Sequence, residues 1–337
     1  MANRPTSTDA KPQESTGVSV IYTTHRLEPR FDWFIDSLAA QLSEEIDLEV
    51  IFVDGLHSPQ RTAALDRLVD GRFSMRHVAP KPSPYSGPYR LTGRDYFTAA
   101  SFRNTGIVYA SKEYIVFVDD ASVAMPGWLD EALNAARGLY VVAGAYEKRW
   151  EMVVDDGKLI SSREDPVGRD ARWEHGDDDR LVEIVGGQLF GCSCGAPRRL
   201  LVEVNGYDEL CDLIGSEDYD LGLRLERSGA AIYYSRRMLT IESEELHRQG
   251  EPLARMDKAA DEQTYMQRLL DFGVDHRSTD GPCDISHLVL DINYGTRAVR
   301  SLGNYYDLAE LDESNLLDTV ECFPRYHWFD QQPLNEL

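Results

Sequence analysis

Tyr114-Ile-Val-Phe-Val-Asp-Asp120 is an uncharged, β-branched and aromatic run that ends abruptly in two carboxylates. Such a run has the composition of a strand covered on both faces, because a half-exposed strand alternates polar with apolar residues. Two upstream stretches share the pattern. Val18–Thr24 (VSVIYTT) ends in Thr23 and Thr24, followed by His25 and Arg26, and Leu48–Asp54 (LEVIFVD) ends in Asp54. Ser74–Val78 and Val141–Ala145 read as further strands, and Ala231–Ser235 (AIYYS) as a short one.

Between these strands the apolar spacing changes to that of helices. Phe31, Phe34, Ile35, Leu38 and Leu42 recur at three and four residues, and 60–69, about 94–110 and the segment from Pro126 follow suit. Pro126 stands near a helix start, where its missing amide costs nothing. Four prolines between 80 and 88 mark a loop. Strand–helix alternation of this kind predicts an α/β fold, with a mainly parallel central sheet flanked by helices. The charged stretch from Glu147 to Arg180 reads as a surface excursion. The region after residue 247, with helix-like spacing over 253–272 and an aromatic tail, reads as a C-terminal helical extension with no assigned role.

Composition narrows the function. The chain has 337 residues, 58 acidic against 35 basic, for a formal charge of −23. That field repels nucleic-acid phosphates, and no basic cluster with interleaved aromatics counters it. The first 17 residues are polar and predict a disordered tail without the apolar core of a secretory signal. No apolar run is long enough for a membrane span. Five cysteines, at 192, 194, 211, 283 and 322, fit reduced, buried thiols and a cytoplasmic setting.

In an open α/β sheet, ligands sit beyond the carboxyl ends of the strands, near the switch in strand order. Thr23, Asp54, Asp119 and Asp120 all fall at such ends. Neither a Gly-x-Gly-x-x-Gly nor a Walker loop is present, which argues against the common dinucleotide and P-loop readings. Adjacent carboxylates at a strand end suit Mg²⁺ or Mn²⁺, which take one or two carboxylates together with phosphate oxygens. A second informative segment is Gly215–Gly229 (GSEDYDLGLRLERSG). Ser216 reads as an N-cap, Glu217 and Asp218 as first-turn acids, and Gly229 as the stop.

With these pieces in order, the chain resembles family 2 glycosyltransferases of the GT-A fold. The resemblance is carried by SVIYTTHR, VIFVDG, SFRNTGIVYASKEYIVFVDDASVAMPGWL, GCSCGAPRRLLVEVNGYDE and GSEDYDLGLRLERSG, over roughly residues 18–235. It implies a GT-A domain over 18–247 and transfer of a sugar from a nucleotide-diphosphate donor, a UDP-sugar, to an acceptor hydroxyl. Thr23 and Asp54 would contact base and ribose, and Arg103, with Arg94 as a second candidate, the nucleotide or its phosphates. Asp119 and Asp120 occupy the metal-and-nucleotide motif. Asp218, beside Glu217, matches the general base of inverting members. Gly186 and Gly187 lie where the backbone admits sugar or acceptor. One departure stands out, since Ala121 falls where the second motif Asp belongs. A divalent ion would then rest on Asp120 and Asp119, with His247 as a distant ligand. A retaining transferase, a catalytically silent nucleotide-sugar-binding module and a nucleotidyltransferase are the competing readings, the last without the Gly-rich basic loop it needs. The acceptor and the oligomeric state have no readable code.

Overall fold

The computed structural model describes residues 17–43, 46–90, 97–175, 180–213, 215–248, 298–301 and 303–325. Strand β1 (Gly17–Thr24) leads through helix α1 (Phe31–Ala39) to β2 (Asp47–Asp54), then through α2 (Pro59–Val69) to β3 (Ser74–Val78). From Val18 to Thr24 and from Leu48 to Asp54 every residue is buried. After the proline loop the chain returns through α3 (Ala99–Tyr109) to β4 (Tyr114–Asp119) on the other side of β1. Then come β5 (Ser122–Ala124), α4 (Trp128–Gly138), β6 (Val141–Asp155), β7 (Lys158–Arg169), β8 (Val182–Glu183), β9 (Ser193–Pro197), α5 (Arg198–Glu203), α6 (Glu217–Arg227), β10 (Ile232–Ser243) and α7 (Glu244–Arg248).

The strands form one 10-stranded sheet in the order β3-β2-β1-β4-β9-β6-β10-β5, with β7 on β6 and β8 on β10. The pairs β1–β2, β1–β4, β2–β3 and β6–β10 are parallel. Strand β9 is antiparallel to both β4 and β6, so β6 and β10 keep the direction of the first four strands. Strand order therefore reverses between β1 and β4. The register aligns their polar ends, with Thr24 opposite Asp54 and Thr23 opposite Asp119. Alternate side chains serve opposite layers, as the two-residue period of a strand requires. Val20 and Tyr22 pack with Phe34, Leu38 and Trp128 on one face, while Ile21 packs with Phe102, Ile107 and Leu225 on the other. Gly106 lets α3 lie close on β1, since a Cβ there would stand 2.4 Å from Ile21.

Several expectations change. The stretch from Glu147 does lie at the surface, mostly half-buried or exposed, but as regular structure. It continues the predicted Val141 strand to Asp155 and turns back as β7. The two-residue turn Asp156–Gly157 has both φ values positive, at 48° and 67°, the geometry whose twist matches that of a hairpin. The short strand at AIYYS extends to Ser243. Helix α4 starts at Trp128, after Gly127 at φ 94°, two residues past Pro126. Ser216 precedes α6 in a left-handed conformation and makes no side-chain cap bond. The helical expectation over 253–272 lies outside the described residues. Among the described residues of 298–325 the regular elements are 3-10 turns, at Leu308–Glu310 and Leu316–Arg325.

Candidate active site

Beyond the ends of β1 and β4 lies a cavity of about 120 Å³. Thr23, Arg103, Asp119, Asp120, Glu217 and His247, all singled out in the sequence, line it. Arg26, named only among the polar residues after the first strand, also lines it, as do Phe97 and Glu242, which were not singled out. Helix α3 delivers Arg103. Its N-terminus has no cap from Thr98 and is instead capped by Asp212, which accepts from the Ala100 and Ser101 amides at 2.6 and 3.2 Å. Arg103 is 4% exposed and donates to Asp119 at 2.8 Å and Glu217 at 2.6 Å. It thus ties the end of β4 to the start of α6. Its guanidinium lies over the Tyr207 ring, 5.2 Å from the centroid. Burial opposes the charge, but the Asp119, Glu217 and Asp218 carboxylates and the Tyr207 hydroxyl hold its pKa well above the ordinary arginine value.

The acids divide by environment. Asp120 accepts from Thr24 Oγ1 at 2.6 Å and Arg26 Nε at 2.9 Å, one bond per oxygen. Burial nevertheless pushes its proton affinity up. Arg26 also donates to the Leu246 carbonyl in α7, so one guanidinium joins β1, β4 and the C-terminal side of the site. Asp218 accepts from the Gly191 amide at 2.9 Å and the Tyr219 amide at 2.8 Å. Burial and the adjacent Glu217 charge raise it to about 6, against the pull of Gly191 and Arg103. Glu242 is raised to about 8 by burial and then by Asp119. Among the cysteines, burial drives Cys194 up to about 12 and Cys192 and Cys211 well above the ordinary range, so these thiols stay protonated.

Other expected residues are not among those lining the cavity, Asp218 and Asp54 included. Asp54 is fully buried, with its oxygens held by the Leu56 amide at 2.8 Å, Arg61 at 2.6 Å and His77 at 3.2 Å. Burial alone would raise its pKa, and these bonds outweigh it, so the net shift is downward. Gly187 sits in the 3-10 turn Gly186–Gln188, where a Cβ would stand 2.6 Å from the Tyr219 ring. A Cβ on Gly186 would lie 2.3 Å from the Gly222 carbonyl oxygen. Both glycines therefore allow close packing on α6. Arg94 lies outside the described residues. Trp150 carries guanidinium groups of Arg163 and Arg248, and Trp173 those of Arg169 and Arg236. Tyr85 is buried and Tyr89 exposed.

Among the described residues, no three His, Cys, Asp or Glu side chains are grouped to enclose a cation. Mg²⁺ or Mn²⁺ shared with phosphate needs only one or two carboxylates. Asp119 and Glu242 fit that requirement. The Asp119 side chain is 38% exposed, and Glu242 Oε1 is buried without a hydrogen bond. Nothing in the sequence marked Glu242, which lies in IESEELHRQG downstream of every recognised motif.

No protein-family model and no curated protein matches the sequence. Among solved structures, S. aureus TarS 1–349 in complex with UDP-GlcNAc aligns with a TM-score of 0.50 at 16% identity, over 90% of this chain and 79% of that one. The chain has the GT-A fold. S. aureus TarS, and TarS 1–349 in complex with UDP, align at TM-scores of 0.48 with 13% identity, over 89% of this chain and 44% and 76% of theirs. In GT-A terms the cavity occupies the switch between β1 and β4, where the sheet's carboxyl ends open. No helix among the described residues is long and apolar enough to cross a membrane.

Proposed function

We propose that this chain is a glycosyltransferase that moves a sugar from a UDP-sugar to an acceptor hydroxyl with inversion, Asp218 serving as general base. The observation that carries the reading is Arg103, a buried cation joining Asp119 at the β4 end to Glu217 at the α6 start, across a cavity at the strand switch. TarS, which shares the fold, has been crystallised with UDP-GlcNAc and with UDP, and this supports the choice of nucleotide.

The chemistry assigns each group a task. Thr23, which lines the cavity, borders the nucleoside, while Asp54 holds Arg61 behind it. Arg103 and Arg26 supply preorganised positive charge for the diphosphate, in a site sheltered enough for that charge to count. Asp218 takes the proton of the acceptor hydroxyl as its oxygen attacks the anomeric carbon. The bond from that carbon to the diphosphate oxygen breaks, and the electron pair leaves with the nucleotide. A divalent ion bound at Asp119 and Glu242 would add charge neutralisation for the departing diphosphate. A pKa near 6 leaves Asp218 ionised at neutral pH yet basic enough to accept a proton.

A thermal-shift screen of nucleotide sugars, with and without Mn²⁺, tests donor binding. Asp218→Asn is expected to keep UDP binding and lose nearly all transfer and donor hydrolysis. Unchanged turnover would remove Asp218 from its role, and anomeric proton couplings of the product would separate inversion from retention.

A further inference from the structure

The acid missing at position 121 has a counterpart on the neighbouring strand. Ala121 is 3% exposed, with its backbone left-handed at φ 54°. Its amide donates to the Pro29 carbonyl at 3.0 Å and lies 3.1 Å from Tyr22 Oη. Its own carbonyl accepts from the Ser243 amide at 3.1 Å, and the next residue, Ser122, pairs with Glu242 across β5 and β10. The strand position adjoining the lost carboxylate is therefore filled by a glutamate.

Glu242 is 6% exposed and lines the same cavity as Asp119 and Asp120. Its Oε1 is buried and makes no hydrogen bond. A buried carboxylate oxygen left in that state is costly, and a cation or ordered water is the usual resolution. Lys148 stands opposite Glu242 in the β6–β10 register and its charge acts on that carboxyl, but its ammonium makes no hydrogen bond to it and lies 4.0 Å from Glu244. Asp120 has one oxygen on Thr24 and the other on Arg26. Asp119 uses Oδ1 on Arg103, and no hydrogen bond to its Oδ2 is seen among the described residues.

The geometry points to Glu242 and Asp119 as the pair that holds the divalent cation, with Glu242 standing in for the carboxylate absent at Ala121. Two carboxylates suffice for Mg²⁺ or Mn²⁺ when phosphate and water complete the shell, and on this point the inference rests on the UDP-sugar reading. Ala121, between β4 and β5, and Glu242, on the β10 strand paired with β5, line the same cavity.

The test is titration of Mn²⁺ into the full chain, with and without UDP, followed by the loss of the free-ion EPR signal. Glu242→Gln is expected to weaken Mn²⁺ binding by at least about tenfold, the scale of losing a metal-orienting group. Ala121→Asp placed on that background is expected to restore most of the loss, since Asp tolerates a left-handed backbone. Should Glu242→Gln fail to fold by near-UV circular dichroism, Ala121→Asp alone decides. A third carboxylate beside Glu242 tightens Mn²⁺ several-fold, and an unchanged affinity overturns the assignment. Wild-type affinity in a folded Glu242→Gln, or no rescue by Ala121→Asp, also overturns it. A wild-type protein that binds UDP but takes up no Mn²⁺ refutes this cation site alone. One that binds neither UDP nor UDP-GlcNAc refutes the donor reading instead.

Discussion

Replacing Glu217 by glutamine should move the acid limb of the activity profile, and the structure sets both its direction and its size. Asp218 is raised from 3.8 to about 6, first by burial and next by the neighbouring Glu217 charge. Glutamine keeps an oxygen that can accept from Arg103, now 2.6 Å from the Glu217 carboxylate, but removes the like charge. It also frees the Arg103 field to act on Asp218, which lowers the pKa in the same sense. A downward shift of about one unit, or ~1.4 kcal/mol, is expected. For a base with a pKa of about 6, roughly a tenth is ionised at pH 5, and for one near 5 about half. Donor turnover as kcat/KM at pH 5, relative to its plateau, should thus rise from about 0.1 to about 0.5 in Glu217→Gln. Carbon-13 NMR of the Asp218 carboxyl gives the same shift without turnover. An acid limb that stays in place or moves upward would refute the pairing of these two acids. The stability sign follows as well. The folded state holds the Asp218 proton more tightly than the unfolded chain. That contribution is fully present below pH 3.8 and is lost as pH rises through about 6.

Three further outcomes test the frame around the site. Arg103→Met leaves Asp119 and Glu217 without their shared cation, and should cost about 3–5 kcal/mol in urea unfolding as well as UDP affinity. Lys81 is fully buried, 2.9 Å from Glu209 and 2.9 Å from Tyr305 Oη. Lys81→Met should cost about 3–5 kcal/mol, and adding Glu209→Gln should recover much of it, which a double-mutant cycle measures. Gly222→Ala would set a Cβ 2.0 Å from the Gly186 carbonyl oxygen. It should lower the urea midpoint by an amount equivalent to about 1–3 kcal/mol with the slope unchanged.

Where burial was uniform, the sequence could be read almost residue by residue. The runs 18–24, 48–54 and 114–120 carry no alternation because both faces are covered; Thr23, Asp119 and Asp120 at two of their ends line the cavity, and Asp54 at the third does not. Legibility failed where local chemistry competed with composition. The charges of Glu147 to Arg180 masked a hairpin, although Asp156-Gly157 between Val153-Val154 and Leu159-Ile160 was the local signal for it. Ser216 has the right residue type for a cap, yet the sharp turn from Gly215 holds it at φ 66°, so its hydroxyl makes no cap bond. The cavity was legible through its motif acids and Arg103. Glu242 was not, and Arg26 was seen only as a strand-end residue, because their roles depend on β1 lying beside β4 and on β10 pairing with β5, contacts that no sequence spacing encodes.

The segment after residue 303 makes the seat of Arg103 a long-range construction. Asn104, next to that arginine, donates to Tyr306 Oη across 202 positions, and Asn304 reaches back to the carbonyls of Asn205 and Tyr207. Tyr306 Oη also donates to Glu209, the partner of Lys81. During synthesis these groups must wait on the ribosome for their counterparts. A nascent or truncated chain ending before residue 303 would hold a charged pocket open beneath α3, exposed to proteases, while most of its sheet was already paired.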